Sequence, residues 1–305
     1  MIQIPPYLRK GDTIGITCPA GYMELSKVQT CIHTLQSWGY EVMVGKTIGS
    51  KSKTYFSGTD AERRDELQAM LNDNSIKAIL CGRGGYGVSR IIDELDFSRF
   101  KKNPKWIIGF SDITVLHAHL IQCIKTASLH APMANAFNNG GAKKIYVQSL
   151  QKALKGVKSN YAVKAHAANR TGTCEGKLIG GNLALMAHLV GSRSAYKTKN
   201  RILFLEDIGE YIYNIDRMMV QLKRAGILQH LSGLIVGHFS DIHKTVRPFG
   251  QTVQQIIQSH VAEYDYPVCY DFPVSHELEN VALKVGVKHL LKISKQQVLL
   301  KELSE

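Results

Sequence analysis

Three short stretches of the chain carry residue types that perform acyl-transfer chemistry. Gly109-Phe110-Ser111-Asp112 stands where a predicted strand gives way to a predicted helix. A serine at such a turn can project its hydroxyl from the top of a sheet, and amides at the start of the following helix can receive a developing oxyanion. Ile113 occupies the second glycine position of Gly-x-Ser-x-Gly, and Ser111 is equally suited to cap the helix that follows. Arg201-Ile202-Leu203-Phe204-Leu205-Glu206-Asp207 reads as a hydrophobic strand ending in two carboxylates. Asp271-Phe272-Pro273-Val274-Ser275-His276 reads as a short strand, a proline-set turn and a histidine. Taken singly, the acids suit a solvated strand end and the histidine a structural role. Their order is more informative. Serine, glutamate and histidine, each just beyond a predicted strand, suit a triad in which histidine takes the serine proton and the carboxylate fixes its tautomer.

A fourth stretch, Gly82-Arg83-Gly84-Gly85-Tyr86-Gly87, formally matches the G-x-G-x-x-G of dinucleotide sites. It follows the third predicted strand rather than the first, and no convincing acidic residue stands about twenty positions on. The run can equally serve as a tight turn, or supply backbone N–H groups beside Ser111 if the third and fourth strands are neighbours. Six scattered cysteines form no Cys-x-x-Cys pair, and no H-E-x-x-H or other metal-ligand spacing occurs.

Positioning these residues requires a sheet with its loops at one end. The first half alternates strands (Thr13–Thr17, Glu41–Val44, Lys77–Cys81, Trp106–Phe110) with helices (Leu25–Trp38, Asp60–Leu71, Val88–Leu95, Ile113–Cys123). Repeated β-α units predict a parallel sheet covered by helices, with ligands at the carboxyl ends of its strands. One more helix is expected near Ser149–Val157. The polar stretch around 151–175 is expected to link two domains, one over 1–150 and one over 176–305. The second half mixes helices (Leu183–Val190, Ile215–Ala225, Thr252–Val261) with strands at Arg201–Leu205, Leu234–Val236, Val268–Phe272, Leu283–Val285, Leu290–Ile293 and Val298–Leu300. It is expected to form a smaller, β-rich domain.

The apolar fraction of 44% and charged fraction of 21% are those of a globular protein. No apolar run approaches the roughly 18 residues of a membrane span, and no signal-peptide pattern opens the chain, so a cytoplasmic protein is expected. The net charge of +13 could attract nucleic acid or an anionic small substrate. The basic residues are dispersed and accompany no nucleic-acid-binding motif, so nucleic acid is not expected as a partner.

Seven blocks in order resemble the LD-carboxypeptidase family. They are Gly11–Ile16, Tyr55–Asp60, Arg83–Gly87, Gly109–Asp112, Gly176–Leu183, Leu205–Asp207 and Phe272–His276. The resemblance implies a flavodoxin-like, class I glutaminase-like α/β N-terminal domain, a β-rich C-terminal domain and a serine peptidase without metal or organic cofactor. It implies Ser111 as nucleophile, Glu206 as orienting carboxylate and His276 as general base. The amides of Asp112 and Gly85 would form the oxyanion hole, with Arg83, Gly84, Tyr86 and Asn182 near the substrate. A homodimer acting on a murein tetrapeptide or muropeptide is expected, the scissile bond joining an L-configured diamino-acid centre to D-alanine. The rival readings are a peptidase acting on a peptide–nucleotide antibiotic and a non-catalytic nucleotide- or sugar-binding protein. Two positions depart from the family pattern. Ser275 replaces the glycine before the histidine, where a turn at positive φ would be strained, and Ala131 replaces the glycine after His130.

Overall fold

The computed structural model describes residues 2–304. Two compact units emerge, one running up to Val157 with Val281–Lys284 added, the other comprising Lys158–Asn280 and Val285 onward.

In the first unit the β-branched and apolar runs form β1 (Thr13–Thr17), β2 (Glu41–Val44), β3 (Ile76–Cys81), β4 (Trp106–Gly109) and β5 (Ser128–His130). The helices are α1 (Gln29–Ser37), α2 (Asp60–Asn72), α3 (Val88–Ile91), α4 (Ser98–Lys102), α5 (Thr114–His119) and α6 (Ile145–Leu154). In the second unit follow β6 (Asn160–Lys164), β7 (Gly172–Asn182), α7 (Leu183–His188), β8 (Arg201–Ile208), α8 (Ile212–Arg224), β9 (Gly233–Ser240), α9 (Val253–Val261) and β10 (Val268–Cys269). The chain then returns to the first sheet as β11 (Leu283–Val285) and ends with β12 (Lys288–Ile293) and β13 (Gln297–Glu302).

The first sheet has the order β11-β5-β4-β3-β1-β2, and the pairings β2/β1, β1/β3, β3/β4 and β4/β5 are all parallel. The run 2-1-3-4-5 is the flavodoxin-like doubly wound arrangement, which gathers loops at the carboxyl ends of the strands. It makes β3 and β4 neighbours, so the glycine run and the serine leave adjacent strands. Fully buried Ile14, Ile16, Ile79, Ile107 and Leu129 fill the sheet, as expected of parallel strands covered on both faces.

Helix α2 begins with a capping box: the Thr59 side chain accepts from the Glu62 amide, and the Glu62 side chain accepts from the Thr59 amide. Its buried stripe is Arg63, Leu67, Met70 and Leu71, an i, i+4, i+7, i+8 pattern with a charged residue in it.

The second sheet has the order β10-β9-β8-β7-β12-β13-β6. Strands β7 to β10 pair in parallel, while β12, β13 and β6 pair antiparallel. The stretch 151–175 is therefore not simply a linker, since it holds the end of α6, the edge strand β6 and the start of β7. Strand β7 carries four glycines, which masks its strand character in the sequence. The reason for one of them is steric: a Cβ at Gly180 would fall within 2.7 Å of the Phe204 amide nitrogen on β8.

Among the described residues no helix is long and apolar enough to cross a membrane.

Candidate active site

In the first unit the site residues gather where β4 ends. Gly109 and Phe110 lead into Ser111, whose φ of 63° lies in the left-handed region. A non-glycine residue there carries roughly 1–2 kcal/mol of strain, a feature of a sharp strand-to-helix elbow that presents its side chain. The N-cap reading of Ser111 does not describe the structure. Phe110 precedes the 3₁₀ turn Ser111–Ile113, and no side chain caps it.

The elbow is held from below by His117 on α5. Its Nε2 lies 2.9 Å from the Gly109 carbonyl oxygen and its Nδ1 lies 2.8 Å from Ser128 Oγ. Burial pushes its pKa down to about 4, so the ring is neutral. Nε2–H then donates to the carbonyl, and Nδ1 accepts the hydroxyl proton.

The glycine run lies directly against the elbow. A Cβ on Gly84 would stand 2.8 Å from Ser111 Cβ, 3.0 Å from Ser111 Oγ and 3.4 Å from the Asp112 amide nitrogen. Only glycine permits that approach, and the turn thereby brings backbone beside both the hydroxyl and the Asp112 amide. Gly85 follows at φ 100°. Arg83 is exposed and donates from Nη1 to the Tyr22 carbonyl at 2.7 Å. Tyr86 is exposed, its ring 5.9 Å from that of Phe56.

The second unit brings together the other two predicted residues. His276 Nδ1 and Glu206 Oε2 are 2.6 Å apart, with Glu206 wholly buried and His276 nearly so. Burial alone would lower the histidine's pKa, but the charge of Glu206, its hydrogen bond and the charge of Asp207 outweigh it and raise the pKa above the ordinary value. Donation from Nδ1 leaves Nε2 as the basic nitrogen of the neutral ring.

Glu206 does not lie beyond a strand, as expected, but inside β8, where the register against β9 shifts between Leu205 and Asp207. Such an irregularity re-aims a side chain without ending the strand. The neighbouring Asp207 accepts from Asn182 Nδ2 (2.7 Å) and from the amides of Ala184 (2.9 Å) and Ile208 (2.8 Å). Burial, and then the charge of Glu206, still push its pKa up to about 7. Asn182 is buried, and its Oδ1 caps α7 by accepting from the Leu185 amide at 3.1 Å.

Ser275 is not among the residues at positive φ. The turn needs no glycine, and the serine hydroxyl serves it instead, donating to the Glu279 carbonyl (2.9 Å) and accepting from the Glu277 amide (3.0 Å). His130 is buried at the end of β5 with its ring 5.8 Å from Phe110, and the Ala131 amide donates to Gly109 at 3.2 Å.

Two contributors were not read from the sequence. The amide of His238 on β9 donates to the Val274 carbonyl at 3.1 Å, and its ring lies 3.2 Å from Asp271 and 3.5 Å from Glu277. It thereby ties down the turn that carries His276. Buried Arg63 donates to the Gly87 carbonyl at 3.1 Å. Its signal was present, as the one charged residue in the apolar stripe of α2. No group of three or more His, Cys, Asp or Glu side chains that could hold a metal occurs among the described residues.

Comparison with known proteins agrees with this picture. Residues 14–131 match the profile of the LD-carboxypeptidase N-terminal domain and residues 175–291 that of the LD-carboxypeptidase C-terminal domain. The chain is 30% identical to a probable murein peptide carboxypeptidase of Bacillus subtilis, over 97% of this chain and 93% of the relative. The crystal structure of muramoyltetrapeptide carboxypeptidase from Oxalobacter formigenes superimposes with a TM-score of 0.87 at 28% identity, covering 96% of this chain and 99% of that one. The microcin C7 self-immunity protein of Escherichia coli is 26% identical over 342 aligned positions, 99% of this chain and 98% of the relative. With both domain profiles matched in order, the elbow in the first unit and the histidine–glutamate pair in the second, the chain belongs to the LD-carboxypeptidase family.

Proposed function

We propose that this protein is a serine carboxypeptidase that releases the terminal D-alanine of murein tetrapeptides by cutting its bond to the L-centre of the preceding diamino acid. What carries the reading is the pairing of His276 Nδ1 with buried Glu206 at 2.6 Å, which leaves Nε2 basic. A strained serine at a strand-to-helix elbow supplies the matching nucleophile.

In this mechanism Ser111 Oγ attacks the scissile carbonyl while His276 Nε2 takes its proton. Glu206 holds the ring and stabilises the imidazolium. The amide of Asp112, with one from the Gly84–Tyr86 turn, receives the oxyanion. Collapse of the tetrahedral intermediate expels the D-alanine amine, protonated by His276. Water, deprotonated by the same ring, then releases the tripeptide acid and restores Ser111. Names of relatives that contain murein peptide and muramoyltetrapeptide support this substrate class.

The test is purified protein with defined tetrapeptides, with products followed by mass spectrometry. Tripeptide and D-alanine are expected from wild type, and turnover should fall at least about 1,000-fold in Ser111→Ala. Near-full activity in that variant would end the serine assignment.

The second reading, cleavage of a peptide–nucleotide antibiotic, draws on the likeness to the immunity protein. The alignment with that relative spans 342 positions against the 305 residues of this chain, so the relative carries segments that this chain lacks. The tetrapeptide is accordingly the favoured substrate. Cleavage of an aminoacyl-nucleotide conjugate with no release of D-alanine would reverse the order.

A further inference from the structure

The glycine turn that lies on Ser111 has almost no side chains with which to hold itself. Its restraints must come from neighbours, and the structure records them. The Gly84 carbonyl accepts from the Gly21 amide at 3.0 Å. Three residues on, one peptide unit, Gly87–Val88, is gripped at both ends. Its carbonyl oxygen accepts from Arg63 Nη1 at 3.1 Å, and its N–H donates to Asp112 Oδ2 at 2.8 Å. Arg63 and Asp112 are both wholly buried.

Arg63 is itself fixed. It donates to the Pro19 carbonyl at 2.5 Å, pairs with Asp60, and stacks its guanidinium 4.8 Å from the Phe56 ring centroid. Asp112 is the residue after Ser111, so its main chain continues the elbow while its side chain reaches the glycine turn.

We propose that Asp112 and Arg63 form a positioning clamp on the Gly87–Val88 peptide that fixes the distance between the two halves of the oxyanion pocket. The Asp112 residue links the halves physically: its amide is one donor, and its carboxylate holds the turn that supplies the other. Arg63 prevents the gripped peptide from rotating about its flanking bonds, because a flip would break both hydrogen bonds at once. A buried carboxylate is expensive unless it is hydrogen-bonded and faced by a cation, and this one has both. The charged and titratable groups that face it are Arg63 from α2 and Cys81 from β3. Its pKa stands raised to about 6, chiefly by burial, against the lowering effects of the Val88 amide, Arg63 and the Gly87 amide. Neither side chain touches substrate in this scheme. Both act through backbone, so their removal should affect the transition state and spare the ground state.

The inference rests on Ser111 being the nucleophile, and steady-state kinetics on the tetrapeptide separates the two claims. Ser111→Ala, Asp112→Ala, Asp112→Asn and Arg63→Gln are compared, each well below its unfolding temperature. Asp112→Ala should lower kcat about 100-fold with KM within about twofold, the effect of a displaced oxyanion donor. Asp112→Asn, which keeps one acceptor for the Val88 amide, should recover part of the loss. Arg63→Gln should lower kcat at least about tenfold, again with KM retained. Hydrogen exchange at the Val88 amide should quicken in Asp112→Ala and less so in Asp112→Asn. A dead Ser111→Ala beside a wild-type kcat in Asp112→Ala overturns the clamp alone. Full turnover in Ser111→Ala overturns the serine reading and the clamp's catalytic role together. Where Asp112→Ala does not fold, Asp112→Asn and Arg63→Gln decide, and wild-type kcat in both refutes the clamp.

Discussion

At the scale of single residues, environment rather than residue type separates the site from its surroundings. His117 is paired with a carbonyl and a hydroxyl and stays neutral, whereas His276 is paired with a buried carboxylate and has its pKa raised. The proposed mechanism needs neutral His276 as base, so kcat/KM should rise as pH climbs through that raised value. Replacing Glu206 with Gln removes the charge that raises it. The acid limb of the profile should then move to lower pH, while kcat on the plateau falls about 10,000-fold from loss of tautomer control and imidazolium stabilisation. A pH–rate profile of Glu206→Gln with an unmoved acid limb would show that Glu206 does not govern His276. Ser275 makes a related point. Family resemblance suggested strain at that position, yet its hydroxyl completes the turn through two hydrogen bonds and its backbone is unstrained.

At the scale of elements, the proposed chemistry depends on a close approach of backbone to the elbow. The turn after β3 reaches Ser111 because Gly84 has no side chain. Gly84 is not at positive φ, so alanine is tolerated by its own dihedrals and conflicts only with the elbow. Gly84→Ala should therefore lose at least about 100-fold in kcat through displacement of roughly 1 Å, with a stability change of about 1–3 kcal/mol, as for other overpacking substitutions. Tetrapeptide kinetics combined with urea unfolding measures both, and an active Gly84→Ala would mean that the turn does not touch the reacting centre. Strand β8 illustrates why element boundaries were harder to read than element types. Its hydrophobic run announced a strand, but nothing in Leu205-Glu206-Asp207-Ile208 announced that the strand continues through two buried carboxylates. That continuation depends on a register shift against β9 and on Asn182 and two amides that receive Asp207.

At the scale of the whole molecule, buried titratable groups set opposing dependences of stability on pH. His117 has its pKa lowered from about 6.5 to about 4, so between those values the unfolded chain takes up a proton that the native state refuses. Its contribution is present above pH 6.5 and is lost as pH falls toward 4. Asp207, raised from 3.8 to about 7, acts in the opposite sense: the native state holds a proton that the unfolded chain releases, and stability declines as pH rises through that window. Thermal unfolding of His117→Gln and wild type at pH 7.5 and 4.5 separates the two. The variant should be the less stable at neutral pH, by roughly 1–3 kcal/mol for the lost buried hydrogen bonds. Its disadvantage should shrink or reverse at pH 4.5. A constant difference between the two pH values would show that His117 does not resist protonation. The net charge of +13 belongs to this scale too, as a dispersed field suited to a substrate with several carboxylates.

The sequence by itself determined the alternation of strands and helices in the first half, because period and breakers are local properties of the chain. Strands β1, β2 and β11 run as read, and the glycine run and Ser111 lie in the turns predicted for them. It also determined the order of chemical residues and, through seven ordered blocks, the family. The tertiary structure alone decided which face each residue serves. Edge strand β6 was too polar to register, and β7 was disguised by glycines, one of which has a steric purpose that lies on the neighbouring strand. Strand β11, read as part of the C-terminal domain, belongs to the first sheet. Arg63 and His238 act on segments far away in sequence, holding the Gly87 carbonyl and the turn before His276. Periodicity reports only where a side chain stands on its own element. Which peptide it grips across a gap in sequence follows from how the elements pack, and no local pattern encodes that distance.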